Sequence, residues 1–129
     1  MTHLLMIAAG GAAGALCRYS LVNWINSFAH SKTQWGLFPL GTLSVNVIGS
    51  FAIGIMYVLI AERMALHADW RNVAIIGFLG AFTTFSTFSL ETITLLENGH
   101  LAHALLYVVS SLLVCVLAAW LAITLTRLI

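Results

Sequence analysis

Long apolar stretches separated by isolated charges organise this chain. Charged side chains stand at Arg18, Lys32, Glu62, Arg63, Asp69, Arg71, Glu91, Glu97 and Arg127, and residues 33–61, 72–90 and 98–126 carry none. A helix crosses the bilayer core in about 20 residues, so each stretch holds a span. Residues 1–17 are also uncharged, and the apolar pattern continues past Arg18 to Ile25. The pattern predicts four helices over approximately 3–27, 39–61, 72–97 and 101–126, forming a single integral membrane domain over 1–129.

The connections agree with that division. His30 to Gly36 reads as a polar loop closed by the only proline, Pro39. Glu62-Arg63 through Asp69-Trp70-Arg71 reads as a second loop, and Asn98-Gly99-His100 as a tight turn of helix-stop residues. Trp24, Trp35, Trp70 and Trp120 fall near predicted helix ends, where aromatic rings favour the membrane interface. Residues 2–5 lack the basic residues of a signal-peptide n-region, and Leu16 is too large for a lipoprotein cleavage site before Cys17.

Composition narrows the class. The chain of 129 residues is 61% hydrophobic and 7% charged, against about 45–50% and 25% in soluble domains. A soluble enzyme, a nucleic-acid binder and a disordered chain are excluded, and the net charge of +1 offers no basic patch for phosphates. Cys17 and Cys115 lie inside predicted helices and read as small buried side chains rather than a disulfide. The histidines lie at ends or loops. His100 and His103 do not amount to a metal site, and no nucleophile–base–orienter set is present.

The scarcity of charge leaves orientation weakly specified. Arg63, Arg71 and Arg127 share one predicted side, with Lys32, and Arg18 if it snorkels that way, on the other. Two readings stand: one fixed topology, or insertion in both orientations with inverted copies pairing about an axis in the membrane plane. Four short helices hardly enclose a water-filled path, so either reading favours an oligomer.

Several polar residues sit at membrane depth. Arg18 in the first span costs about 2.5–3.5 kcal/mol at the bilayer centre. It either snorkels or supplies a fixed positive charge that attracts an anion or braces a dimer. Gly10 and Gly14 form a small-xxx-small pair suited to close helix packing. Thr42, Asn46, Gly49 and Ser50 share one helical face. The Asn46 amide there serves an interhelical bond or lines a polar path as an anion donor. Tyr107, Ser111 and Cys115 make a similar row on the fourth span, with Ser110 adjacent.

The third span is the most informative. Gly77-Phe-Leu-Gly80-Ala-Phe-Thr83-Thr84-Phe85-Ser86-Thr87-Phe88-Ser89 mixes glycines, hydroxyls and phenylalanines. Such residues weaken a helix interior and predict a break near residues 80–84. Broken backbone at that depth survives only where it is buried in protein or lines a cavity, and its carbonyls can bind a cation. Phe85 and Phe88 read as packing, or as ring edges whose partial positive charge meets a desolvated anion. Glu91, a turn later, reads as an end-of-helix charge or a polar element at a pore entrance.

The run Gly80-Ala-Phe-Thr-Thr-Phe-Ser-Thr-Phe-Ser-Leu-Glu91, with Gly10-Gly11-Ala-Ala-Gly14-Ala-Leu-Cys-Arg18-Tyr and Gly41-Thr42-Leu-Ser-Val-Asn46, resembles the bacterial fluoride-channel family called CrcB or Fluc along the whole chain. The resemblance implies an all-α membrane protein with a broken third helix, assembled as an antiparallel, dual-topology homodimer in the bacterial inner membrane. It implies passive export of cytoplasmic fluoride, protecting the cell from fluoride toxicity, with no enzymatic activity. Phe85 and Phe88 would be the pore phenylalanines, with Ser86 and Thr87 between them. Asn46 would be the pore asparagine, Thr42 would lie one turn before it, and Tyr107 and Ser111 would form the fourth-helix polar track. A structural sodium ion, not transported, would be held at the dimer centre by the backbone carbonyls of Gly80 and Thr83. Arg18 matches the family's first-helix arginine. The chain departs from the family pattern at Ala81 and Phe82, where glycine and then leucine are common, and at Cys115, where serine is common.

Two further readings compete. A small multidrug antiporter needs a carboxylate deep in the first span, where this chain has Arg18. A non-transporting assembly subunit would have little use for so many buried polar groups.

Overall fold

The computed structural model describes residues 2–32, 37–63 and 71–129. Helix α1 spans Thr2–Lys32. Helix α2 spans Leu40–Met56 and continues as π-helical turns over Tyr57–Arg63. The third span has two halves. Its first half, α3, winds as π-helix over Asn72–Leu79 and closes with one α-turn at Gly80–Phe82. Its second half, α4, is Phe85–Glu97, and the last helix, α5, is Leu101–Leu128. The described residues contain no strand. Among the described residues, four helical stretches are long and apolar enough to cross a membrane: Thr2–Ala29, Leu40–Ile60, Asn72–Glu97 and Leu101–Leu128.

The expected four-span, all-helical fold is present, and some helix ends lie beyond the expected bounds. The first was expected to stop near residue 27 and the next loop to begin at His30. Instead the helix runs to Lys32, because no glycine or proline lies between Gly14 and Gly36 to stop it. Glu62 and Arg63, expected in a loop, prolong α2. The loop residues Trp35, Asp69 and Trp70 lie outside the described residues, as does His67.

The turn between α4 and α5 follows its residues closely. Gly99 takes φ +78°, a left-handed conformation that glycine adopts without penalty. Its amide bonds Leu96 O at 3.0 Å and the His100 amide bonds Leu95 O at 2.8 Å. These two bonds form a Schellman motif that satisfies the last carbonyls of α4. At the other connection, α2 starts at Pro39, and the Gly41 amide donates to Asn26 Oδ1 of α1 at 3.2 Å.

Packing relies on small residues, because lipid supplies no hydrophobic force between helices. Gly10 and Gly14 of α1 meet α3 backbone to backbone. A methyl at Gly10 would lie 2.6 Å from Val73 O, and one at Gly14 would overlap the Phe78 peptide. Gly77 answers from α3, where a methyl would stand 2.7 Å from Ile7 O. Helix α2 closes on α5 at Gly54, beside Ala119 and Ala122. Outward faces carry Leu4, Leu105, Leu128 and the rings of Trp24 and Trp120, all exposed on the single chain. At the far end of the bundle the exposed Arg127 guanidinium donates to Glu62, with Nε 3.0 Å from Oε2, tying α5 to α2.

The close approach is testable. Gly14→Ala should force α1 off α3 and destabilise the fold by about 1–3 kcal/mol or more. Gly11→Ala should be tolerated, since a methyl there meets Gly77 O at an ordinary 3.8 Å. Thermal unfolding of the two purified variants in detergent compares them.

The break has an architectural consequence. Helix α3 lies along α1, whereas α4 lies along α5. The third span therefore changes partner midway, and Thr83 and Thr84 form the joint.

Candidate functional site

The joint is built from residues on three other segments. Thr83 and Thr84 are extended, with φ, ψ of −85°, 159° and −150°, 117°. In an unbroken helix the Thr84 amide would bond the Gly80 carbonyl. Here it donates to Asn46 Oδ1 at 2.8 Å, and Asn46 Nδ2 donates to Thr84 O at 3.0 Å. One amide side chain thus clasps both polar groups of one residue, which sets the orientation of the Asn46 amide and leaves it one further N–H. The Gly80 carbonyl loses its helical donor. Gly49, one turn after the clasp, has no side chain, and the Thr83 methyl fills that space.

Thr84 also restarts the helix. It is the N-cap of α4, and its Oγ1 accepts from the Thr87 amide at 3.2 Å. The same hydroxyl donates to Thr87 Oγ1 at 2.9 Å and lies 3.3 Å from Ser86 Oγ. Ser86 and Thr87 therefore surround the cap. A Ser or Thr cap stabilises a helix start by about 1 kcal/mol. From α1, Arg18 Nη1 donates to Thr83 O at 3.4 Å. Arg18 is half-buried and reaches inward to a carbonyl rather than snorkelling to a surface.

A groove of about 370 Å³ opens beside the joint, lined by Asn46, Gly80, Thr83, Phe85, Phe88 and Ser111 among others. Phe85 projects into it, 76% exposed, while Phe88 is 9% exposed. The two ring centroids are 5.4 Å apart. Among the described residues the Ser111 hydroxyl is buried with no hydrogen-bond partner. A buried orphan of this kind calls for an explanation, such as an ion or a water. Cys115 lines the same wall one turn further along.

Behind Phe88 lies a second polar cluster. Phe88 packs on Tyr107 with centroids 5.1 Å apart, and Phe38 meets the other side of Tyr107 edge-on at 5.5 Å. Tyr107 Oη donates to Glu91 Oε2 at 2.7 Å, and Thr42 Oγ1 donates to Glu91 Oε1 at 2.7 Å. Both donors are fully buried. Glu91 is half-buried within α4 and lines a further pocket with Leu37, Pro39, Thr94 and His100. The structure thus answers one open question: Glu91 is a paired group inside the bundle and not an end-of-helix charge.

Apart from Arg18, which reaches the joint from α1, the sequence-predicted residues fall into three sets. Asn46, Phe85, Phe88 and Ser111 share the groove with Gly80 and Thr83. Thr42, Glu91 and Tyr107 form the cluster behind Phe88, and Ser86 and Thr87 join the cap. Thr84, the residue on which the joint turns, was foreseen only as part of the break. A threonine opening the run Thr84-Phe-Ser-Thr87 after a helix-weakening stretch is a readable N-cap signal.

The sequence matches a family model described as CrcB-like protein, Camphor Resistance (CrcB), over residues 5–123. The chain belongs to the CrcB family. Relatives match nearly the whole of this chain. A protein of Hahella chejuensis named fluoride-specific ion channel FluC is 43% identical over 98% of this chain and 96% of its own length. Proteins of the same name from Saccharophagus degradans and Magnetococcus marinus are 49% and 46% identical over 95% of this chain, covering 88% and 96% of their own lengths. As a CrcB member with four apolar spans, the chain is a multi-pass membrane protein.

Proposed function

We propose that this chain is a subunit of a fluoride-selective channel that lets fluoride leave the bacterial cytoplasm passively across the inner membrane, protecting the cell from fluoride toxicity. The observation that carries the reading is the clasp of Asn46 on Thr84, which holds a helix break open beside a groove bearing Phe85 and Phe88. Broken backbone inside a bilayer is tolerated where it is buried in protein or lines a cavity, and this break borders the groove.

The path is read from this chain's own donors. A small anion entering the groove gives up water and must be offered hydrogen bonds in exchange. The remaining N–H of Asn46 and the orphan hydroxyl of Ser111 are placed to offer them. The first turn of α4 adds the positive end of a helix dipole. The edges of Phe85 and Phe88 attract an anion weakly, which suits conduction, where a deep well would trap the ion. Beyond Phe88 the hydroxyls of Tyr107 and Thr42 are committed to the Glu91 carboxylate, and the pocket by Pro39 and His100 opens beside that cluster. No step makes or breaks a covalent bond, so no catalysis is needed.

The exposed groove and the weak charge bias support assembly as an antiparallel, dual-topology homodimer, each copy lining a pore. The donor set also fits a structural sodium ion. Gly80 O has lost its helical partner, Thr83 O stands at the break, and both lie at the negative end of the α3 dipole. Carbonyl oxygens are hard donors suited to such a cation. Gly80 and Thr83 would hold the ion, which supplies charge neutralisation and does not move with fluoride.

Purified protein in liposomes loaded with potassium fluoride or potassium chloride tests the function. Fluoride should appear at a fluoride electrode once a potassium ionophore is added, while chloride stays inside. Chloride leaving as fast as fluoride would overturn the selectivity. Proton-driven uptake of a lipophilic cation would instead place the chain among multidrug antiporters.

A further inference from the structure

The Arg18 side chain and the sodium ion of the preceding reading make claims on the same atom. Arg18 Nη1 lies 3.4 Å from Thr83 O, and among the described residues no carboxylate pairs with the guanidinium. The distance is beyond the usual N–H···O range of about 2.7–3.2 Å. The charge is therefore held loosely, drawn by the negative end of α3 and not locked by a bidentate partner. The Thr83 carbonyl has lost its place in the helical ladder, and a guanidinium supplies part of what a helical N–H would have given.

We infer that Arg18 is a placeholder cation and positioning residue for the helix break: its charge steadies the Thr83 carbonyl when no metal is bound and weakens sodium binding when sodium arrives at the same oxygen. The inference rests on the sodium reading and concerns only what this chain's arginine does to it. Two positive charges sharing one carbonyl oxygen repel each other at short range. In a part-buried setting that repulsion is damped far less than in water. Arg18 thereby keeps the joint formed in both states. The isolated subunit retains an ordered break, and the sodium site is not so tight that its carbonyls collapse on the ion.

The test follows thermal unfolding of the purified protein in detergent while sodium replaces N-methylglucamine at constant ionic strength. The wild type should gain stability with sodium along a saturating curve. Arg18→Gln should unfold at a lower temperature without sodium, and its sodium midpoint should move to a concentration lower by about tenfold, the effect of even a strongly attenuated charge–charge interaction. Arg18→Lys keeps the charge, so its midpoint should remain near the wild-type value. An unchanged or raised midpoint in Arg18→Gln would overturn the inference. So would a lowered midpoint in Arg18→Lys, which remains informative if the neutral variant does not fold. A wild type indifferent to sodium but responsive to lithium or potassium would reject the sodium reading itself, and the inference with it. A sodium-responsive wild type with an indifferent Arg18→Gln would reject the inference alone.

Discussion

Replacing Asn46 with aspartate should slow fluoride efflux by about a hundredfold or more, equivalent to raising the barrier by roughly 2.7 kcal/mol. The side chain keeps its size and its acceptor, so the Thr84 amide can still donate to it at the position now occupied by Oδ1. What disappears is the donor. A carboxylate oxygen would face the Thr84 carbonyl across the 3.0 Å that an N–H now bridges. Leaving a buried acceptor unpaired costs about 1–3 kcal/mol, and more when the new neighbour is charged. The negative charge would also stand at the wall of the groove, against an anion. Asn46→Ala removes both bonds without adding charge and should lose flux through disorder of the joint. Efflux rates together with gel-filtration profiles separate the two effects. The aspartate variant should remain folded and nearly silent. An aspartate variant that conducts like the wild type would show that the clasp is structural alone.

The same clasp explains what could and could not be read from the sequence. The last three spans were legible because charges bound them, the first because its apolar pattern continues past Arg18, and the Asn98-Gly99 turn because only glycine accepts φ of +78° cheaply. The face of Thr42, Asn46 and Gly49 was legible from helical spacing, and the structure gives each a different level of the third span: Glu91, Thr84 and Thr83. The break itself was legible from its glycines and hydroxyls, but its position was not. Local propensity places the weak point anywhere from Gly80 to Thr84, and the choice of Thr83–Thr84 is made by an amide 38 residues away in the chain. The partner of Arg18 was hidden for a related reason. A search among residue types looks for a carboxylate, whereas the guanidinium meets a backbone carbonyl that exists as an open acceptor only because the helix breaks there. The use of Ser86 and Thr87 around the cap depends likewise on where α4 begins. What escaped the sequence was tertiary choice among local options, not the options themselves.

Phe88→Ile should reduce fluoride efflux by at least about tenfold, a barrier change of roughly 1.4 kcal/mol, while the protein still folds. The ring is 9% exposed and belongs to the buried cluster of Phe38, Leu95, Ala104 and Tyr107. Ile is apolar and somewhat smaller, so a purely packing role would predict a modest loss of stability, well below the 3–5 kcal/mol of a Phe→Ala change. Flux should fall out of proportion to that loss for two reasons. The aromatic edge that an anion can approach is gone, and a methyl group offers no comparable positive rim. The Tyr107 ring also loses its 5.1 Å neighbour, so the hydroxyl that bonds Glu91 Oε2 is no longer held from that side. Phe88→Tyr, which retains the ring, should keep more flux than Phe88→Ile at equal or lower stability. Phe85, exposed and unconfined, makes the complementary control: Phe85→Ile should leave thermal stability almost unchanged and still slow efflux, because its ring stands in the groove without supporting the core. If both isoleucine variants conduct at the wild-type rate, the phenylalanines only fill space, and the anion must travel by the Asn46 and Ser111 wall alone.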